Sequence, residues 1–293
     1  MGYIPYIIGR YNNYKNVDLS FLKNNTNLRI VKKFQEIKKD EYDILMVNSD
    51  QTWRKFSNPF YDNAFLCFAK NWKIIKLAYG VSLGYRDWKL NKTDEKIAKY
   101  CLKDFKGISV REKGSIGLIQ KHLGIKPLFV LDPTFLIDKK YYLNIIATYK
   151  TENFNNKQFL FTYLLSKDKK VQIFIKNTSD ILNYSIYNLN LSENNTVLKF
   201  LYGINNCKAV VTNSYHATIF SIIFKKPFLC FVPKNGANAR FDTLKEIFNI
   251  KNRIIEYNQK PNFNLLIAPL KINRKVLKSL QSQSINFIKT FLK

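Results

Sequence analysis

The sequence predicts an α/β protein of two domains, each built on a parallel sheet, and three observations carry that prediction. Short apolar runs alternate with helix-length segments along most of the chain. Polar residues cluster directly after the apolar runs, where open parallel sheets bind their ligands. The 293 residues suffice for two domains of roughly 100–200 residues each.

Residues 1–42 are polar and weakly periodic, with one short helix expected near Val31–Ile37. The first strand is Asp43–Val47, a short apolar run opening into Asn48-Ser49-Asp50-Gln51. Ile74–Val81 is a second strand ending at Ser82, followed by a helix over Thr93–Asp104 with Thr93 as N-cap. Gly107–Val110 is a third strand, running into Arg111-Glu112. A helix over Ser115–His122 stops at Gly124, and the strand Leu128–Leu131 ends at Asp132-Pro133-Thr134.

A second set begins after the polar stretch 151–158, which places a boundary near 145–156 and domains at 1–150 and 151–293. Its strands are Phe159–Leu165, Val171–Ile175, Ala209–Thr212 and Phe228–Val232. Its helices are Val197–Asn205, Ala217–Phe224 and the basic amphipathic segment Arg274–Leu292, expected to pack back across the domains. A cleft between the two domains is the expected place for a site.

Lys+Arg 48 against Asp+Glu 21 give a net charge of +27. The lysines are spread through nearly every segment, and no zinc finger, basic heptad array or aromatic RNA-binding motif accompanies them, which argues against a nucleic-acid protein. The charge does favour anionic substrates and peripheral contact with an acidic membrane. Cys67, Cys101, Cys207 and Cys230 lie far apart, so the expectation is four reduced, buried thiols. With only His122 and His216 besides, no metal site is expected, and His122 reads as a solvated helix end. No apolar run reaches the ~18–20 residues of a membrane span, and the expected compartment is the cytoplasm.

Several motifs then fall in order: Asn48-Ser49-Asp50-Gln51-Thr52-Trp53, Tyr79-Gly80-Val81-Ser82-Leu83-Gly84, Ile108-Ser109-Val110-Arg111-Glu112-Lys113, Leu131-Asp132-Pro133-Thr134, Val211-Thr212-Asn213-Ser214-Tyr215-His216-Ala217-Thr218, and Asn238-Ala239-Arg240-Phe241. In order and spacing these resemble the polysaccharide pyruvyl transferases. The resemblance implies two Rossmann-like domains facing a cleft, a glycosyltransferase-B-like fold. It also implies transfer of the enolpyruvyl group of phosphoenolpyruvate onto two hydroxyls of one sugar of a surface polysaccharide or lipid-linked precursor, with no cofactor. The alternatives are a nucleotide-sugar-dependent glycosyltransferase and an inactive basic relative that binds glycan or nucleic acid.

His216 is the candidate for proton transfer, because imidazole titrates near neutrality and the start of a helix favours an anion. Arg111, at a strand end, is the candidate for gripping phosphate or carboxylate, or else pairs with Asp132. Ser49, Asp50, Gln51, Ser82, Asn213, Ser214 and Arg240 are the candidate substrate-binding residues, Arg240 being assigned to the second domain. Ser49 and Asp50 could equally cap a helix, and Asp132 organises a turn. The chain departs from the family pattern in carrying Asn48 for Gly, Asn213 for Asp and Ala217 for Gly. The family's opening glycine-containing strand–loop–helix unit is not recognisable, so the N-terminal domain is expected to be shortened.

Overall fold

The computed structural model describes residues 6–8, 19–27, 29–31, 33–54, 61–148, 158–166, 168–189, 196–234, 238–256 and 258–292. The chain opens with β1 (Tyr6–Ile8), α1 (Leu19–Asn25) and β2 (Arg29–Val31), then β3 (Ile44–Val47), β4 (Ile75–Val81), α2 (Lys92–Leu102), β5 (Phe105–Val110), α3 (Lys113–Leu123) and β6 (Leu128–Phe129). It continues with α4 (Lys139–Ala147), β7 (Phe159–Tyr163), α5 (Lys169–Leu182), β8 (Ser185–Asn188), α6 (Thr196–Asn206), β9 (Ala209–Thr212) and α7 (Tyr215–Phe224). The last elements are β10 (Phe228–Phe231), α8 (Ala239–Phe248), β11 (Ile254–Ile255) and α9 (Arg274–Thr290). All strand pairings among the described residues are parallel, as the alternation in sequence requires.

The chain forms two compact units, neither of them continuous in sequence. One comprises Ile37–Leu136, Asn235–Ile250 and Asn273–Lys293; the other comprises Met1–Glu36, Ile137–Lys234 and Lys251–Ile272. A single boundary near 150 therefore does not describe them, because α8 and α9 return to the four strands encoded before it.

In the four-stranded unit the sheet order is β3-β4-β5-β6, the order of the chain. Right-handed crossovers that always step the same way lay their helices on one face of the sheet. That face carries the core of Ala78, Val81, Val110, Ala98, Leu102, Ile119 and Leu123. The opposite face is covered by α9, whose Phe287, Ile288 and Phe291 pack with Tyr79, Val130 and Met46. Gly107 permits the approach: a Cβ there would lie 2.4 Å from the Phe291 ring. Ser284 of α9 accepts a hydrogen bond from the Leu131 amide at 2.9 Å, and Gln281 donates to the Phe135 carbonyl at 2.6 Å. Phe248 of α8 packs at a tilt against Phe135 with ring centroids 5.3 Å apart. Phe287 is the most buried apolar residue of α9.

The five-stranded unit has the order β11-β10-β9-β7-β8. Counted within the unit this is the doubly wound order 2-1-3-4-5, in which the chain reverses direction between the first and third strands, here β7 and β9. Core residues Leu160, Val171, Ile175, Val211 and Leu229 lie in this unit.

Four local expectations meet a different structure. Val171–Ile175 is helix rather than strand: Asp168 caps the Lys170 amide at 2.8 Å, and the buried residues Val171, Ile175 and Thr178 follow helical spacing. At the N-terminus β1 and β2 pair in parallel with α1 between them, forming a two-stranded sheet that the sequence reading did not expect. A three-residue strand is too short to register as an apolar run. The short helix expected near Val31–Ile37 is instead the end of β2 and one 3-10 turn at Phe34–Glu36. Helix α2 is capped by Asn91 in a reciprocal box with Asp94, not by Thr93.

The cysteines also divide differently from expectation. Cys67 and Cys101 form a disulfide across a Cα–Cα distance of 5.2 Å, while Cys207 and Cys230 are free and buried. Thirty-four residues of sequence separate the bonded pair, and only folding brings them together. His122 is no solvated cap: its ring stacks on Trp88 at 4.4 Å and Nδ1 lies 3.0 Å from Glu95 Oε1.

Candidate active site

In the five-stranded unit the carboxyl ends of β7 and β9 form the switch point, where doubly wound sheets bind ligands. The segment Thr212–Ile222 crosses it, and every residue of that segment is buried except His216. The turn is held by side chain to backbone bonds. Thr212 Oγ1 donates to the Tyr163 carbonyl at 2.5 Å and accepts from the Ser214 amide at 3.0 Å. Ser214 is the N-cap of α7, its hydroxyl facing the Ala217 amide at 3.4 Å, and Thr218 bonds back to the Ser214 carbonyl. His216 therefore stands half-exposed in the first helical turn, where backbone N–H groups attract anions. Its ring packs edge-on against Tyr215 at 5.5 Å. Burial raises the pKa of Tyr163, so the β7 strand end stays neutral.

Asn213 ties the two switch-point loops together. Its Oδ1 accepts from the Leu165 amide at 2.7 Å, and its Nδ2 donates to the carbonyl and the hydroxyl of Ser166, both at 3.0 Å. An aspartate could accept the first of these but could not donate the other two, which is the physical reason for an amide where the family pattern has an acid. Asn213 and Ser214 are thus committed to loop structure beside His216.

In the four-stranded unit the residues after each strand meet at one edge. Arg111 follows β5 with its side chain fully enclosed. Nη1 donates to Asp132 Oδ2 at 2.6 Å and to Ser49 Oγ at 2.8 Å, while Nη2 reaches Asp50 Oδ1 at 3.1 Å. Asp132 is closed from its other side by the amide and hydroxyl of Thr134, at 3.1 and 2.7 Å. The pairing of Arg111 with Asp132, which the sequence left open beside an anion-gripping role, is present. A guanidinium so enclosed orients Ser49 and Asp50.

Next to it Glu112 is fully buried, with Ser82 donating to Oε1 and Ser115 to Oε2, the latter at 3.0 Å. Glu112 and Ser115 belong to this cluster although sequence reading assigned them no role; the adjacent opposite charges Arg111-Glu112 at a strand end were the available signal. Gln51 accepts from Arg54, whose Nε bonds the Tyr85 hydroxyl at 2.9 Å.

Two backbone features shape this edge. Gly80 has φ +57° inside β4, and its amide donates to Ser109 Oγ at 3.0 Å. Asp50 has φ 91°, rare for a residue with a side chain, and bridges Val81 in parallel while Ser82 donates to its carbonyl. The Asp50 side chain is 62% exposed. Backbone outliers of this kind concentrate at functional sites. Arg240 lies in the first turn of α8, with its guanidinium 5.4 Å from the Phe241 ring. It belongs with Arg111 in the four-stranded unit, not with His216 as the sequence division had it.

Among the described residues no group of three or more His, Cys, Asp or Glu is placed to hold a metal ion, and no helix is long and apolar enough to cross a membrane. Parallel α/β units with polar loops gathered at strand carboxyl ends define the class of enzymes that bind small anionic or sugar ligands there. Within that class, the sequence model for polysaccharide pyruvyl transferase matches residues 1–235. The chain belongs to that family and is a transferase acting in polysaccharide pyruvylation. No curated protein matches it significantly.

Proposed function

We propose that the protein transfers the enolpyruvyl group of phosphoenolpyruvate to two hydroxyls of one sugar in a surface polysaccharide or its precursor, forming a cyclic pyruvate ketal. A proton adds to the methylene carbon, a sugar hydroxyl adds to C2, phosphate leaves, and the second hydroxyl closes the ketal. One hydroxyl proton is retained by the methyl group and the other departs with phosphate, so the atoms balance.

The observation that carries this reading is that His216 is the one residue not buried within Thr212–Ile222 at the switch point. In this reading His216 delivers the proton, and the α7 N-terminus receives the anionic donor. Arg111 acts through Ser49 and Asp50, which orient the acceptor together with Gln51, while Ser82 braces Glu112 behind them. Arg240, on α8 of the four-stranded unit, supplies a further cationic contact for an anionic group held within that unit.

The test is mass-spectrometric detection of a pyruvate ketal, with parallel assay of phosphate release. His216→Ala is expected to lower turnover by ~10²–10⁴, while the fold measured by circular dichroism stays intact. Phosphate release from phosphoenolpyruvate should require a sugar acceptor. Product formation by His216→Ala at the wild-type rate would remove the histidine from the mechanism, and failure to bind phosphoenolpyruvate in calorimetry would overturn the donor.

A further inference from the structure

We propose that the face of the five-stranded unit formed by the first turn of α4 and the end of α7 docks on an anionic phospholipid surface. Five lysines gather there. Lys139 and Lys140 open α4, Lys225 caps the end of α7, Lys226 follows it, and Lys208 precedes β9. Two contacts pin the cluster. Lys139 Nζ lies 5.5 Å from the Phe224 ring, and Lys226 Nζ donates to the Cys207 carbonyl at 3.1 Å. Tyr142 of α4 packs edge-on against Phe220 and Phe224 of α7, which fixes the two helices together.

The arrangement is electrostatically unfavourable as it stands. Burial and then the neighbouring charges of Lys226 and Lys225 lower the pKa of Lys139; burial lowers that of Lys226, with Cys207 opposing and Lys208 adding to the effect. Among the described residues no carboxylate is among the groups acting on either lysine. Asp138, the one acid adjoining them in sequence, spends its side chain capping the Lys140 amide at 2.8 Å. Two lysines also occupy the first turn of a helix, where the backbone dipole disfavours cations. An external anionic partner relieves each of these costs.

What selects a lipid surface over a free anion in water is the apolar company. Ile137 is 47% exposed and Tyr141 is 56% exposed on the same turn, with Lys140 Nζ 5.5 Å from the Tyr141 ring. Lysines beside exposed aliphatic and aromatic side chains suit the boundary between headgroups and acyl chains. The patch sits at the opposite end of α7 from His216, about 15 Å away at 1.5 Å per helical residue. Docking there leaves the switch-point loops open to solvent, where a lipid-linked sugar could present itself. The inference does not depend on the reaction proposed above.

The test is flotation of the full chain with phosphatidylcholine vesicles with and without phosphatidylglycerol. Wild type should float only with the anionic vesicles. K139Q/K140Q/K225Q should lower partitioning by on the order of a hundredfold, at about one kcal/mol per lysine. The control K271Q/K275Q/K278Q, which removes three exposed lysines elsewhere, should lower it by less than about tenfold. Ile137→Ser with Tyr141→Ser should weaken the residual binding at high salt. Equal losses in the two lysine triples, no binding to anionic vesicles, full displacement by inorganic phosphate, or an unaffected Ile137/Tyr141 variant would each overturn the proposal. Circular dichroism confirms that every variant is folded.

Discussion

The two strand-end clusters are built from similar residues by different physics. After β9, the side chains of Thr212, Asn213, Ser214 and Thr218 bond to backbone groups, and a single half-exposed imidazole is left at the surface. After β3, β4, β5 and β6, the side chains of Ser49, Asp50, Ser82, Arg111, Glu112 and Asp132 bond chiefly to one another. The first arrangement shapes a loop with neutral bonds, each worth about 1 kcal/mol and independent of its neighbours. The second takes charges out of water and is sound only while every partner is present. Neutral ties tolerate editing one residue at a time; an ionic cluster does not.

The largest effect that tests this contrast is Arg111→Ala, expected to cost about 3–5 kcal/mol by leaving Asp132 buried and unpaired. Denaturant unfolding measures it, and replacing Arg111 and Asp132 together by Met and Leu should recover most of the loss. A single-variant cost under about 1 kcal/mol would mean the cluster is solvated.

Next comes the covalent tie in the same unit. Reducing Cys67–Cys101 should lower stability by roughly 2–4 kcal/mol. Thiol titration of the unfolded, unreduced chain should count only the two free cysteines, Cys207 and Cys230. Burial pushes the Cys207 thiol up to about 12, so it should resist alkylation in the native state at mildly alkaline pH.

Smaller again is Asn213→Asp, which loses both donors to Ser166 and should cost about 1–3 kcal/mol. Ser214→Ala should cost about 1 kcal/mol, the ordinary loss of a helix cap. If Ser214→Ala destabilises as much as Arg111→Ala, the contrast between the two edges fails.

The smallest effect is electrostatic and depends on pH. Asp104 is held below the ordinary carboxyl range chiefly by its hydrogen bond from Lys70, with the Asn71 amide and Lys76 assisting. A lowered folded-state pKa gives stability that is present at neutral pH and lost on acidification through and below that range. Asp104→Asn should therefore destabilise modestly at neutral pH and hardly at all in acid, as a pair of denaturation curves would show.

Much of this was legible in the chain. Ala209–Thr212 is a strand of four fully buried residues, and such a run needs no tertiary information to be recognised. Gly124 ends α3 with φ +74°, as a glycine at that position should. His216 was identifiable from its place after a strand and before an apolar helix. The misreadings have physical causes. Val171–Ile175 is a short run of β-branched and aromatic residues broken only by Gln172, as in a strand, and only its burial against the sheet selects the helical face. For Arg111 the sequence left an anion-gripping role and a pairing with Asp132 both open, and only the fold shows that the pairing, across twenty-one positions, is made.

Local pattern, then, determined the elements and their parallel alternation, because side-chain periodicity and turn chemistry act within a few residues of sequence. The same pattern placed the polar residues at strand ends. It did not decide which of them face one another, where α8 and α9 return, which cysteines bond, or which lysines crowd together. Those outcomes depend on contacts between residues remote in sequence, and a contact of that kind exists only once the chain has closed on itself.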